Sequence, residues 1–345
     1  MDIGLLSLGD CLDDPVAGTK TSPAERHRAI VDEAVLAESL GFDSVWLGEH
    51  HFCDYVLAAP PVVLAAIAAR TSRIRLGTGV TLLANLDPVR VAEDYATVDA
   101  ISNGRVELSV GRGILVDTDE VFGQKPDESR ERFRENLELL QRLWSETDVT
   151  WSGRFRAPLD RVTVEPRPVQ QPHPPIWVGG GSSPASVDLA VELGLPLMLP
   201  SVLAPPADFL PLVERYRARW AAAGHDPAGA RVGGCNHVHV AATSQQARES
   251  WRPYYRNYLR FVDRVWTRRE LIHAKARVDL SYERLLLAGV AVCGSPTEVV
   301  DRIAAARETL GLDLHLSMFD LGGLPPPEVA KTLELFATQV LPQLR

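Results

Sequence analysis

Along almost its whole length the chain alternates short apolar runs with stretches of helical periodicity, and that alternation narrows the folds open to it. The apolar runs are IGLLSL (3–8), SVWLGE (44–49), IRLGTGV (74–80), VELSVG (106–111), IWVGG (176–180), PLMLP (196–200), HVHVAA (237–242) and LHLSMF (314–319). Their length and punctuation read as strands. Helical patterns lie between them, near 23–40, 61–70, 88–102, 127–145, 184–193, 206–223, 244–260 and 296–310. Ser22-Pro23, Asp87-Pro88, Ser183-Pro184 and Ser295-Pro296 each set a capping side chain before a proline, a helix start. Gly41, Gly194 and Gly224 stand where helices need a left-handed residue to stop.

Strands that alternate with helices in this way point to an α/β fold, a (β/α)8 TIM barrel. A doubly wound open sheet is the runner-up, but it would carry a glycine-rich dinucleotide loop after its first strand, where SLGDCLDD stands instead. At 345 residues, 46% of them hydrophobic, the chain is expected to form a single barrel domain over 1–345. Two segments exceed ordinary loops. Residues 146–175 are rich in proline and arginine and predict a small hairpin followed by an extended run into the fifth strand. Residues 251–292 carry Trp251, Tyr254, Tyr255, Tyr258, Phe261 and Trp266, which suits either a lid at the barrel mouth or an extra packing helix.

A net charge of −9 disfavours nucleic acid or an anionic membrane as partner. The four cysteines, Cys11, Cys53, Cys235 and Cys293, are scattered without zinc spacing, and no metal site is expected. No stretch approaches the roughly 18 apolar residues of a membrane span, and the first residues lack a basic secretory lead. The expectation is a cytoplasmic protein with reduced thiols.

In a barrel the strand C-termini carry the chemistry. One of them reads VGGGSSPAS (178–186), where Gly180 and Gly181 permit close backbone approach and Ser182, Ser183 and Ser186 offer hydroxyls at a helix N-terminus. Free amides and the helix dipole there favour an anion, so the segment is a candidate phosphate cradle. Arg112, between glycines at a neighbouring strand end, adds a fixed guanidinium fork. Glu49, His50 and His51 close another strand. Neighbours on a strand face opposite ways, so the two histidines are poorly placed to share a metal ion. A catalytic or binding role for one histidine fits better, with the other packing outward or into the loop. His237 and His239 fall on one strand face without a partner carboxylate in the pattern. GxSxG and P-loop signatures are both absent.

At these strand ends the chain resembles the bacterial luciferase-like flavin monooxygenases. The resemblance lies in EHHF (49–52), DPVRVAEDYATVDAISNGRVELSVGRG (87–113), VFG (121–123) with SR (129–130), and PPIWVGGGSSPASVDLAVELGLPLMLP (174–200), with weaker similarity in CGSPTEVVDRI (293–303). It implies reduced FMN supplied by a separate reductase, reaction with dioxygen, and oxygenation of a small organic substrate through a flavin peroxide. Phosphate contacts carried across by motif are Arg112, Arg130, Ser182, Ser183 and Ser186, with the Ile114 backbone nearby. A cis peptide after the third strand, here Gly79–Val80, would back the flavin ring. His50 matches the family's catalytic-region histidine, and its neighbour Glu49 ranks lower as its orienter. Gly111 replaces a cysteine of the light-emitting members and Ser182 replaces their acidic residue, so bioluminescence is not expected. A larger, polycyclic or carrier-bound substrate is as consistent as an aldehyde. The alternatives are a deazaflavin-dependent hydride-transfer enzyme of the same fold and a non-catalytic flavin-binding protein. A homodimer is also expected from the resemblance.

Overall fold

In the computed structural model, which describes residues 1–113, 115–180, 183–202, 204–268 and 281–345, the apolar runs form one parallel sheet. Strands β1 (Asp2–Ser7), β2 (Ser44–Leu47), β3 (Arg75–Thr81) and β4 (Val106–Val110) lie side by side in chain order. The segment after β4 contributes an antiparallel hairpin, β5 (Val149–Trp151) with β6 (Leu159–Val162), as expected within 146–175. The sheet then resumes with β7 (Ile176–Gly179) beside β4, followed by β8 (Leu197–Met198), β9 (Val232–Val240), β10 (Ala291–Gly294) and β11 (Leu314–Met318). Pairing of β8 with β9, β9 with β11 and β11 with β1 closes eight parallel strands into a (β/α)8 barrel.

The helices are α1 (Pro23–Ser39), α2 (Pro60–Ala68), α3 (Pro88–Ser102), α4 (Val116–Val121), α5 (Ser129–Ser145), α6 (Pro184–Glu192), α7 (Pro206–Ala222), α8 (Ser244–Arg268), α9 (Tyr282–Leu287), α10 (Pro296–Leu310), α11 (Pro326–Gln339) and α12 (Leu341–Leu344). Ser22 caps α1 in a full capping box, and Asp87 and Ser295 cap α3 and α10 through their side chains. Gly41, Gly194 and Gly224 all take positive φ, as their stop role requires.

Two expectations are corrected. The sheet holds nine strands, because β10 pairs in parallel with the second half of β9, His237 to Val240. Its four residues follow the apolar α9 directly, so the sequence merges them with the long segment 251–292. That segment is therefore no simple insertion: it holds most of α8, then α9, and runs into β10, with 269–280 outside the described residues. Strand β9 also begins at Val232, five residues ahead of the expected 237.

Buried side chains fill the barrel below its mouth. Trp46 and Trp177 meet edge to face at 6.3 Å. The Trp177 indole donates to Glu107 Oε2 at 3.1 Å, and Arg231 stacks over its ring at 4.8 Å. This closes the N-terminal end and leaves the C-terminal end to carry a cavity.

Candidate active site

A cavity of about 1310 Å³ opens where the strands end. Its floor includes Leu6, Leu316 and Met318, and its walls come from the loops after β2, β3, β4, β7 and β8. His50, Gly79, Val80, Arg112, Gly180 and Ser186 all line it, so the barrel gathers candidates spread over more than 130 residues of sequence.

The wall after β2 differs from its sequence reading. Strand β2 stops at Leu47, so Glu49, His50 and His51 belong to the following loop, where strand alternation no longer governs which way they face. The Glu49 N–H donates to Val80 O at 3.2 Å and the His50 N–H to Leu57 O at 3.1 Å. Glu49 is 4% exposed and divides its carboxylate: Oε1 accepts from His51 Nε2 at 2.7 Å and Oε2 from the Leu82 N–H at 2.9 Å. A carboxylate only accepts, so His51 Nε2 carries the proton. Glu49 therefore orients His51 rather than His50. His50 lies over the Tyr55 ring at 4.3 Å with 23° between planes. Both histidines line the cavity, so His51 does not pack outward.

On the β3 side the Gly79–Val80 peptide is cis, and the pairing of β3 with β4 shifts register between Gly79 and Thr81. The Val80 side chain wedges between two strand ends. A Cβ on Gly111 would lie 2.9 Å from Val80 Cγ2, and one on Gly179 would lie 2.6 Å from Val80 Cγ1. Neither glycine has room for a side chain while Val80 stands between them.

The polar end of the cavity is built by the loops after β4 and β7. Arg112 Nη1 donates to Ser129 Oγ at 3.3 Å. Burial, and then repulsion from the nearby Arg130 guanidinium, lower the Arg112 pKa from its ordinary value. Ser183 sits in extended conformation at the N-cap of α6, its Oγ 3.2 Å from Ser186 Oγ. A Cβ on Gly180 would lie 2.7 Å from Ser186 Cβ, so the loop backbone runs hard against the first helical turn. Ile114, Gly181 and Ser182 lie outside the described residues. Behind Arg112 the wall is pinned by buried Arg132, which donates through Nε to Ala84 O at 2.6 Å and through Nη2 to Asp119 Oδ1 at 2.9 Å. Asn85 Nδ2 donates to the same Asp119 oxygen at 2.6 Å, tying the loop after β3 to α4 and α5.

A second chamber, about 710 Å³, adjoins the first and shares Leu8, His50, Leu115 and Val202 with it. Its far wall is α8, through Tyr258, Phe261, Val262, Val265 and Trp266. The two readings of the aromatic segment thus meet in one helix: Trp251 and Tyr255 are fully buried, while the next turns roof a cavity. Sequence reasoning missed Tyr55, which links the His50 wall to α8 through a 3.0 Å contact with the Tyr258 hydroxyl. Among the described residues no His, Cys, Asp and Glu group is placed to hold a metal ion, and no helix is long and apolar enough to cross a membrane.

Comparison with known proteins agrees with this architecture. The chain is 26% identical over 318 residues to 4-hydroxyprotoasukamycin monooxygenase of Streptomyces nodosus subsp. asukaensis, an alignment covering 89% of this chain and 84% of that one. It spans about half the length of two other curated relatives, 47% of an uncharacterised Sinorhizobium fredii protein and 50% of the oxygenase component of a flavin-dependent trigonelline monooxygenase from Acinetobacter baylyi. The latter is 32% identical over 182 residues, 51% of this chain. Among solved structures, monooxygenase RslO1 from Streptomyces bottropensis matches at TM-score 0.89 and 31% identity over 100% of both chains. The FMN complex of the oxygenating constituent of 3,6-diketocamphane monooxygenase from Pseudomonas putida shares the fold, at TM-score 0.82 and 22% identity over 100% of this chain and 99% of that one. The family described as luciferase-like monooxygenase matches residues 1–314, and the chain belongs to that family.

Proposed function

We propose that the chain is the cytoplasmic oxygenase of a two-component monooxygenase, taking reduced FMN from a separate reductase and using dioxygen to oxygenate an organic substrate. The observation that carries this reading is the set of donors gathered at the polar end of the cavity, where Arg112, Gly180 and Ser186 line one wall. The half-buried Arg112 guanidinium stands near Arg130 and the Asp119 carboxylate and offers a fixed fork suited to a phosphate. Ser183, Ser186 and the N-terminus of α6 complete the donor set that a phosphate monoester needs.

The rest of the cavity fits a flat, largely apolar ring. Val80 presents a branched side chain with bare glycines on either side, and Leu6, Leu316 and Met318 keep the floor free of charge. FMN held here would supply the redox chemistry with dioxygen. The protein's own part is positioning and proton handling. His50 lines both cavities and stands where cofactor and substrate would meet, with its ring braced on Tyr55. An imidazole there can hold or give a proton to the reacting groups. Buried Glu49 fixes the His51 ring beside it, and the apolar lining excludes competing water. Support for a separate reductase comes from the lack of a glycine-rich dinucleotide loop after β1 and from the trigonelline relative, which is an oxygenase component.

The test is an anaerobic titration with reduced FMN, oxidised FMN and reduced deazaflavin, followed by admission of air. Tightest binding of reduced FMN with oxygen uptake above the free-flavin rate is expected. Tighter deazaflavin binding without oxygen uptake would move the chain to the deazaflavin branch. Binding of oxidised flavin alone, without turnover, would make it a flavin carrier.

A further inference from the structure

Helix α8 carries an arginine at every fourth position from Arg248 to Arg268, against only two acidic residues, Glu249 and Asp263, in a chain of net charge −9. Residues four apart share a helix face, so these arginines form one ridge inclined to the helix axis. The first, Arg248, is firmly paired, its Nη2 lying 2.6 Å from Glu298 Oε1. The middle members, Arg252, Arg256, Arg260 and Arg264, are all exposed, and each repels the next. The fold offsets this only weakly. Arg252 lies over the Tyr282 ring at 5.5 Å, and Arg260 reaches the Asn257 side-chain oxygen at 3.5 Å. Arg256 meets Glu283 at 3.2 Å, but both side chains are more than half exposed, where such a pair contributes little. Among the described residues neither Arg260 nor Arg264 has a carboxylate partner.

The ridge lies on the face of the barrel where the cavity opens. Arg248 is tied to α10 just after β10, Asn257 Nδ2 donates to Asp13 O after β1 and to Gly322 O after β11, and the Tyr258 hydroxyl meets Tyr55 after β2. Helix α8 thus crosses the C-terminal ends of the strands. Its apolar side, with Trp251, Tyr255 and Phe261, is already buried in the fold and is not free to sink into a lipid surface. The net charge of the molecule opposes a nucleic acid. An apolar contact stands nearby: Leu287, one turn on from Glu283 along the same face of α9, is 84% exposed. Along the ridge the guanidinium groups recur about every 6 Å. The same interval separates carboxylates at every fourth position of another helix, whose own ridge can pack against this one. We infer that the exposed face of α8 is a docking surface for a protein partner presenting an acidic amphipathic helix with carboxylates four residues apart, which seats that partner over the cavity mouth.

The probe is a labelled, alanine-based helical peptide of about 20 residues with glutamate at every fourth position and leucine beside the glutamates. Its control is an isomer of the same composition with the glutamates spread around the helix. Binding to the full chain is followed by fluorescence anisotropy at low and raised salt. The ridge peptide should bind about tenfold tighter than its isomer, and added salt should weaken it. Arg252→Gln, Arg256→Gln, Arg260→Gln and Arg264→Gln combined should lower its affinity about tenfold and Leu287→Gln about threefold. The combined variant should keep its FMN affinity and melt no lower than native protein, because repulsion along the helix is relieved. Equal binding of the two isomers, failure of both to bind, or binding that survives both sets of substitutions would overturn the inference. Tighter binding of native protein to duplex DNA or to phosphatidylserine vesicles would overturn it as well. The peptide needs neither flavin nor substrate, so the outcome stands apart from that of the cofactor titration.

Discussion

Val80 shows how much of this site depends on side chains that are missing. The space it occupies exists only because positions 111 and 179 carry no Cβ, and the close contacts of a Cβ on Gly111 would all be with Val80 itself. Gly111→Ala should therefore destabilise the protein by about 1–3 kcal/mol through overpacking. Val80→Ala in the same chain should recover at least half of that loss, a coupling that urea denaturation of the four-member cycle measures. Strictly additive effects would mean that the backbone yields instead. The same neighbourhood shows what residue-level reading of the sequence reached. Gly79, Val80, Arg112, Gly180 and Ser186 were legible as wall residues from motif position alone. The partner of Glu49 was not, because strand alternation was extended two residues beyond the true end of β2. A carboxylate two places before a histidine is a recognisable pair once the loop is known to start at Gly48.

At the scale of elements, most helices and strands follow from local chemistry. Capping side chains followed by proline place the starts of α1, α3, α6 and α10 correctly, and apolar runs place β1 to β4 and β7. Short elements are less legible. Strand β8, two residues, lies inside the expected run 196–200, whereas β10, four residues, escapes because pairing with β9 defines it more than its own composition does. Helix α11 carries Val329, Leu333 and Phe336 buried at helical spacing after three consecutive prolines, a signal that the sequence does contain. Helix α8 shows the opposite difficulty. Its aromatic stripe is unmistakable in sequence, yet its division into a packed end and a cavity-lining end depends on where the barrel rim lies. That division separates a cavity roof from an ordinary packing helix.

At the scale of the whole molecule, the barrel seam between β1 and β11 is joined by a buried charge cluster. Arg26 of α1 pairs with Asp320, reaches Glu33 at 3.5 Å and donates to Asp10 O at 2.9 Å, while the Gly322 N–H donates to Asp10 Oδ2 at 2.8 Å. Three carboxyls surround one guanidinium. Burial is the main cause that raises Asp10 to about 7 and Glu33 to about 8. A carboxyl raised in the folded state keeps its proton there while the unfolded chain has lost it. The cluster's contribution to stability is thus full below about pH 4 and is lost as pH climbs through 7 to 8. The loss is limited to about 1.4 kcal/mol per pH unit for each group. Denaturation midpoints should fall between pH 5 and pH 8.5 in the native sequence, and Asp10→Asn with Glu33→Gln should flatten that slope. An unchanged slope would place the shared protons elsewhere.

A flavin phosphate at the polar end of the larger cavity should make the protein distinguish FMN from riboflavin, which lacks only the phosphate; binding of both is measured on native protein and on Arg112→Ala. Native protein should favour FMN by about 10- to 100-fold, as one or two charge-assisted contacts would give. Arg112→Ala should remove most of that preference while leaving riboflavin affinity nearly unchanged. Equal weakening of both ligands, or native protein indifferent to the phosphate, would contradict that placement.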